Sequence, residues 1–206
     1  MRIGDGPELR VRPGTREDAP AISAAMARAF EDDPVYEWFL PDPRSRLERM
    51  TALNEAMFPR FLPIDFIQIT TTDNLGGAAL WCGPERWEVP NSAMLGALPK
   101  MLRLIGFGGA RKMMAAMSAM KKVHPKDPHW YLMGLGTDPV HQRTGVGTAL
   151  VTPKLEECDR QHLGAYLETQ KAINVPYYER FGFRVTGEID LPMGGPHLWL
   201  MWRDPH

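Results

Sequence analysis

The stretch from Trp130 to Phe183 restricts what this chain can fold into more than any other. Trp130-Tyr131-Leu132-Met133-Gly134-Leu135-Gly136-Thr137 reads as an apolar strand, followed by a turn at Asp138-Pro139. Gln142-Arg143-Thr144-Gly145-Val146-Gly147 then opens a helix of about five turns. Ala165-Tyr166-Leu167-Glu168 is a second strand, and Asn174 to Phe183 is a short helix that stops at Gly182 and hands an aromatic residue to the next strand. Two strands joined through a crossover helix run parallel when they share a sheet. The remaining strand candidates are short and turn-linked. The expectation is an α/β fold with a mixed, mostly antiparallel sheet flanked by helices.

Gly145 and Gly147 stand where that helix begins. Without side chains there, a bulky anion can approach the first-turn N–H groups and the positive end of the helix dipole. The alternative is that both glycines only relieve packing or turn strain. A dinucleotide site is a second possibility, since Glu168 ends the next strand at about the distance of a ribose-binding acid. Against it, Leu150 occupies the third glycine position and Pro139 separates strand from helix.

With 206 residues, 44% of them hydrophobic, the chain can bury one sizeable core, and it reads as a single domain over 1–206. Lys plus Arg number 24 against 25 for Asp plus Glu, so no global field draws the protein to nucleic acid or to a membrane. No secretion signal is read in residues 1–8, and no apolar run approaches the ~20 residues of a membrane span, which points to the cytoplasm. Cys82 and Cys158 match no metal spacing and no disulfide framework; both read as packing residues, and no metal is expected.

Upstream, Leu9-Arg10-Val11-Arg12 alternates like a strand, and Thr15-x-x-Asp18 is a capping-box-like start for a helix reaching Phe30. The segment Glu31 to Asp42 mixes acids, aromatics and prolines, which is unusual for a plain connector; it reads as a loop anchored on the core by Tyr36, Trp38 and Phe39, or as a border of a binding pocket. Arg44 to Phe61 is a helix by the spacing of Leu47, Met50, Leu53 and Met57. Phe66–Thr70 and Ala78–Trp81 read as a hairpin. About 90–124 is a Met-rich, basic helical insert, broken near Gly106-Phe107-Gly108-Gly109. There Met113, Met117 and Met120 form a stripe that packs on the core or lines a mobile lid. His197 to Trp202 is a final strand.

Gln-x-x-Gly-x-Gly after one strand and Asn…Tyr-x-x-x-Gly-Phe after the next resemble the GNAT family of N-acetyltransferases. Within it, His124-Pro125-Lys126 through Phe183 resembles the puromycin N-acetyltransferases; weaker similarity reaches Ala29-Phe30, Trp81 and the last strand. The resemblance implies a V-shaped parting of the two parallel strands, where acetyl-CoA enters as cosubstrate. Backbone groups of Leu135, Gly136 and Thr137 would pair with its pantetheine arm. Gln142, Arg143, Thr144, Gly145, Val146, Gly147 and Thr148 would surround its pyrophosphate, with Asn174 near the cofactor. Asn174 also suits a local turn. Tyr178, at the position of the family's motif tyrosine, is the candidate acid and cofactor contact, with adjacent Tyr177 as its rival.

The strand from Trp130 to Thr137 carries no carboxylate, a place where some relatives keep one. Glu168 is therefore the candidate base, with Glu31, Asp32 and Asp33 as alternatives. Tyr36, Trp38 and Trp81 are candidate walls for the acceptor, expected to be a small-molecule amine with an aromatic or apolar body, although a peptide amine also fits. A monomer or homodimer is expected. A non-catalytic acyl-CoA or nucleotide sensor would show the same cradle.

Overall fold

The computed structural model describes residues 9–61, 68–84, 86–88 and 91–206. The elements are β1 (Val11–Pro13), α1 (Ala19–Ala29), α2 (Pro34–Phe39), α3 (Pro43–Phe61), β2 (Gln68–Thr72), β3 (Gly77–Cys82), α4 (Asn91–Val123), β4 (His129–Thr137), α5 (Val146–Gln161), β5 (Gly164–Thr169), α6 (Val175–Glu179), β6 (Arg184–Asp190) and β7 (His197–Arg203). Among the described residues seven strands form one sheet in the order β1-β2-β3-β4-β5-β7-β6. Every neighbouring pair is antiparallel except β4 and β5. The mixed, mostly antiparallel sheet is as expected. Phe66 and Ile67 of the expected hairpin lie outside the described residues.

The parallel pair holds together only briefly. β4 and β5 are in register over His129↔Gly164, Trp130↔Ala165 and Tyr131↔Tyr166, and then separate. Each keeps its other partner: β4 stays on β3 as far as Thr137, and β5 stays on β7 as far as Thr169. A bulge in β4 accompanies the separation. Leu80 opposes Gly134 while the next residue, Trp81, opposes Leu132, so Met133 is an extra residue in the ladder. A bulge bends and twists its strand, and here it leaves the inner edge of β4 beyond Tyr131 without a strand partner.

The bulge also resets which residues face which layer. On one face, Trp130 and Leu132 share a buried cluster with Val146, Leu150 and Leu155 of α5, and beyond the bulge Leu135 joins the same side. On the other face, Tyr131 and Met133 belong to a cluster with Ile22 and Met26 of α1. Gly136 is where α1 lies closest: an added Cβ would come within 2.5 Å of the Met26 sulfur. The helix therefore seats on the strand only because that residue is glycine.

One expectation changes. The acidic-aromatic segment is not simply a loop, because α2 forms inside it. Asp33 accepts the Val35 N–H at 2.9 Å and Pro34 fills the first helical position, a helix-start signal that the sequence Asp33-Pro34 already carries. The insert is broken as expected: α4 is two helical stretches meeting at a kink at Gly106, with φ 67° and ψ 174°.

Candidate active site

The turn after β4 is built to present a helix start to solvent. Arg143 and Gly145 both take left-handed backbone, with φ 64° and 91°, and Gly145 is the N-cap of α5. The first rung of the helix is the Ala149 N–H donating to the Gly145 carbonyl at 2.9 Å, so the N–H groups of Val146, Gly147 and Thr148 precede any intrahelical acceptor. Gln142, Arg143, Thr144, Gly145 and Thr148 are exposed. Behind them the turn is anchored. Arg28 of α1 donates through Nε to the Asp138 carboxylate at 2.8 Å, and that carboxylate also accepts the Val140 N–H at 3.2 Å. Burial works to raise Asp138, but the Arg28 guanidinium and these hydrogen bonds hold it below the usual carboxylate range.

At Gly147 an added Cβ would lie 2.7 Å from the Tyr177 hydroxyl and 3.5 Å from Thr137 Oγ1. This glycine thus makes room for a tyrosine as well as exposing backbone. Tyr177 Oη is buried without a hydrogen bond of good geometry, and burial raises its pKa. Arg180 stacks over the Tyr177 ring at 4.9 Å, which brings a cation near the helix start. Tyr178, by contrast, lies in the α5-side core with Val146, Leu150 and Leu167, edge-on to Phe183. Burial raises it well above an ordinary phenol, so at neutral pH it is a hydrogen-bond donor and not an anion. Asn174 donates to Thr169 Oγ1 at 3.2 Å, a tie between the α6 entry and the end of β5.

Glu168 sits where the parallel strands part, on the face away from α5. It is among Tyr131, Tyr166 and His124, and its Oε1 is buried with no hydrogen-bond partner. Burial pushes its carboxyl up from 4.5 to about 7, against the opposing influence of the Tyr131 and Tyr166 hydroxyls. The sign follows directly. Folding retains a proton on Glu168 between about 4.5 and 7, so this group costs stability as pH rises through that window. Glu168→Gln should therefore leave Tm nearly unchanged at pH 4 and raise it by several degrees at pH 8, as differential scanning calorimetry would measure, on the order of 3 kcal/mol. An equal shift at both pH values would mean that the buried carboxyl is not strained by its charge.

Two of the alternative bases are otherwise engaged. Asp33 caps α2 and is raised by burial, while Asp32 accepts Lys171 Nζ at 2.6 Å. That ion pair docks the α1–α2 connection onto the residues after β5, beside the parting strands.

The expected acceptor residues separate. Trp38 is half-buried where three elements meet: its indole N–H donates to the Met193 carbonyl at 3.3 Å in the β6–β7 loop, and its own carbonyl accepts Lys112 Nζ of α4 at 2.8 Å. Next to this junction a groove of about 420 Å³ runs between α4 and the end of β6, lined by Ala115, Ala119, Val123 and Ile189 among others. Tyr36 instead packs among Phe30 and Phe39, with ring centroids 5.9 and 5.1 Å away. Trp81 is fully buried in the α5-side core, across the sheet from Trp38, so it walls no shared acceptor pocket with it. The inward side of an alternating strand cannot be chosen from sequence when both faces are buried. The methionine stripe divides too, with Met113 and Met120 packed on core clusters and Met117 at the surface.

Sequence reasoning missed His124, Tyr131 and Tyr166, which surround Glu168. A signal existed: His129 and Tyr131 on one strand, and Tyr166 and Glu168 on the next, repeat at a spacing of two and so share a face. Among the described residues no group of three or more His, Cys, Asp or Glu is placed to hold a metal ion.

A family model described as the acetyltransferase (GNAT) family matches residues 70–183. The chain is 27% identical over 204 residues to an uncharacterized N-acetyltransferase of Schizosaccharomyces pombe, covering 92% of this chain and 81% of that one. A Corynebacterium glutamicum structure described as histone acetyltransferase HPA2 and related acetyltransferase aligns with TM-score 0.72 at 27% identity, over 96% of this chain and 97% of the other. Arylalkylamine N-acetyltransferase 2 from Aedes aegypti aligns with TM-score 0.58 at 13% identity, over 97% and 100%, a likeness of fold alone.

Proposed function

Because this chain belongs to the acetyltransferase (GNAT) family and is an N-acetyltransferase enzyme, we propose that it moves the acetyl group of acetyl-CoA to a primary amine of a small molecule with an aromatic or apolar body, by direct attack on the thioester. The observation that carries this reading is the position of Glu168, a buried carboxyl raised to about 7 at the point where β4 and β5 part. An amine must lose its proton to attack, and a base is most useful when its pKa lies near the working pH.

The pantetheine arm lies along the free edge of β4 at Leu135, Gly136 and Thr137, and Gln142 to Thr148 receive the pyrophosphate on the first turn of α5. The acceptor enters from the opposite face, past Trp38 and the groove between α4 and β6, and Glu168 takes its proton. Tyr178 approaches from the α5 face and donates a hydrogen bond to the departing thiolate. Base and acid thus stand on opposite faces of the sheet, which separates the incoming amine from the leaving thiol. The resemblance of the segment from His124 to Phe183 to puromycin N-acetyltransferases supports an apolar small-molecule acceptor.

Thiol release from acetyl-CoA, measured against a panel of small amines that includes puromycin and a panel of amine-ending peptides, tests the proposal. Small aromatic amines should give the highest kcat/KM. Preferential turnover of peptides would move the acceptor class, and no release above background with either panel would favour a sensor. Trp38→Ala should raise the KM of the preferred amine by about tenfold, with that of acetyl-CoA nearly constant. A loss of Tm without that split in KM would make Trp38 a packing residue.

A further inference from the structure

We propose that His124 and His129 carry the proton taken up by Glu168 out to a surface cleft at the start of β4, an assignment that rests on Glu168 being the base. The argument begins at the outer end. His129 Nδ1 lies 2.6 Å from the Asp127 carbonyl, and a carbonyl only accepts, so this nitrogen carries a hydrogen. In a neutral ring the other nitrogen is then bare. His129 Nε2 lies 3.1 Å from His124 Nε2, which must therefore be the donor of that pair. That leaves His124 Nδ1 bare as well. It points at Glu168 Oε1, 4.0 Å away, the carboxyl oxygen that has no hydrogen bond.

Two bare acceptors facing each other in a buried site is an arrangement that a folded protein avoids unless a proton or a water comes between them. Burial disfavours charge on both rings, pushing His124 down to about 3 and lowering His129 against the opposing pull of Asp127. Packing fixes their orientation. Trp87 stacks on His124 with centroids 3.7 Å apart, and Tyr131 and Tyr166 meet the same ring edge-on, each at 5.0 Å. Both histidines line a cleft of about 360 Å³ whose other walls include Lys121, Lys126 and Asp127.

The transfer balances. The amine N–H bond breaks as Glu168 gains the proton, and the new carboxyl O–H passes it to His124 Nδ1, directly after a carboxyl rotation or through one water. The hydrogen on His124 Nε2 moves to His129 Nε2, and that on His129 Nδ1 leaves to water in the cleft. Each ring takes one proton and releases one, so no charge stays behind, and exchange with water of the cleft, which takes the hydrogen from one ring nitrogen and supplies one to the other, returns each ring to its resting tautomer. Glu168 is left ionised for the next turnover.

Long-range ¹H–¹⁵N spectra of protein labelled at histidine nitrogen test the resting arrangement and need no acceptor. His124 should appear as the Nε2–H tautomer and His129 as the Nδ1–H tautomer, both neutral at pH 8. A hydrogen on His124 Nδ1 would make it a fixed donor to Glu168 and overturn the relay. Kinetics supply the second test, using the amine with the highest turnover in the panels above. His124→Phe preserves the stack on Trp87 but carries no proton, and His124→Gln is a second replacement in case the first perturbs folding. In dilute buffer kcat should fall by about tenfold with the KM of acetyl-CoA within about twofold, and the solvent isotope effect should rise. Concentrated imidazole should restore most of the rate. Unchanged kcat, or a loss that neither imidazole nor deuterium affects, would leave the pair a structural role only. Glu168→Gln separates the two layers. If that variant turns over normally the base assignment itself fails, whereas an inactive Glu168→Gln beside an unaffected His124→Phe removes only the relay.

Discussion

Replacing Gly147 by leucine should weaken CoA binding by roughly 10²-fold in a protein that still folds, as isothermal titration together with circular dichroism would show. The reason is steric. An added Cβ at this position falls 2.7 Å from Tyr177 Oη and 3.5 Å from Thr137 Oγ1, so the new side chain displaces that hydroxyl and covers the first-turn N–H groups. Hydrogen bonds to a charged partner contribute about 1.5–3 kcal/mol each, and losing one or two accounts for the expected change. Gly145 should respond for a different reason. The space beside it is open, with only Leu9 Cδ1 at 3.8 Å, but its φ of 91° disfavours any side chain. Gly145→Val should therefore cost about 1–2 kcal/mol of local strain and misdirect the N-cap. Arg143→Ala should be mildest, a severalfold loss that shrinks with salt, because the side chain is exposed. A folded Gly147→Leu protein with native CoA affinity would place the pyrophosphate elsewhere.

Tyr178→Phe should lower kcat by roughly 10²-fold or more while CoA affinity stays nearly intact. The departing thiolate carries the charge that develops in the transition state, and a donor aimed at it from a dry site stabilises it more than water would. Tyr178 meets the requirement for dryness, being buried in the α5-side core, and burial keeps its phenol protonated. Tyr177 is the competing donor. Its hydroxyl is buried, lacks a partner and lies against Gly147 at the helix start, nearer to the proposed pyrophosphate than to the acetyl group. Tyr177→Phe should accordingly weaken CoA binding more than it lowers kcat. The reverse pattern, with Tyr177→Phe losing turnover and Tyr178→Phe retaining it, would transfer the acid role by one residue.

Local signals carried much of this fold. The run from Trp130 to Thr137, the glycine pair and the short helix ending at Gly182 are written in hydrophobic period and in positions that need left-handed backbone, and Gly145 and Gly182 do adopt φ of 91° and 87°. A crossover helix between two strands dictates that they run parallel, and they do over His129 to Tyr131. Such features depend on neighbours in the chain, so a sequence displays them.

What depends on register and on distant partners did not show. That β4 carries a bulge at Met133 follows from how Leu80 and Trp81 pair across the sheet, and no residue in β4 announces it. Trp38 and Trp81 look alike as aromatic candidates, yet one meets Met193 in the β6–β7 loop and the other is sealed under α5, because two-sided burial removes the alternation that would tell the faces apart. Glu168 was legible as a carboxylate ending a strand. That its Oε1 lacks a partner, that burial raises it to about 7, and that a neutral His124 faces it at 4.0 Å were decided only when β4, β5 and the end of α4 came together, since desolvation is a property of surroundings and not of the residue itself.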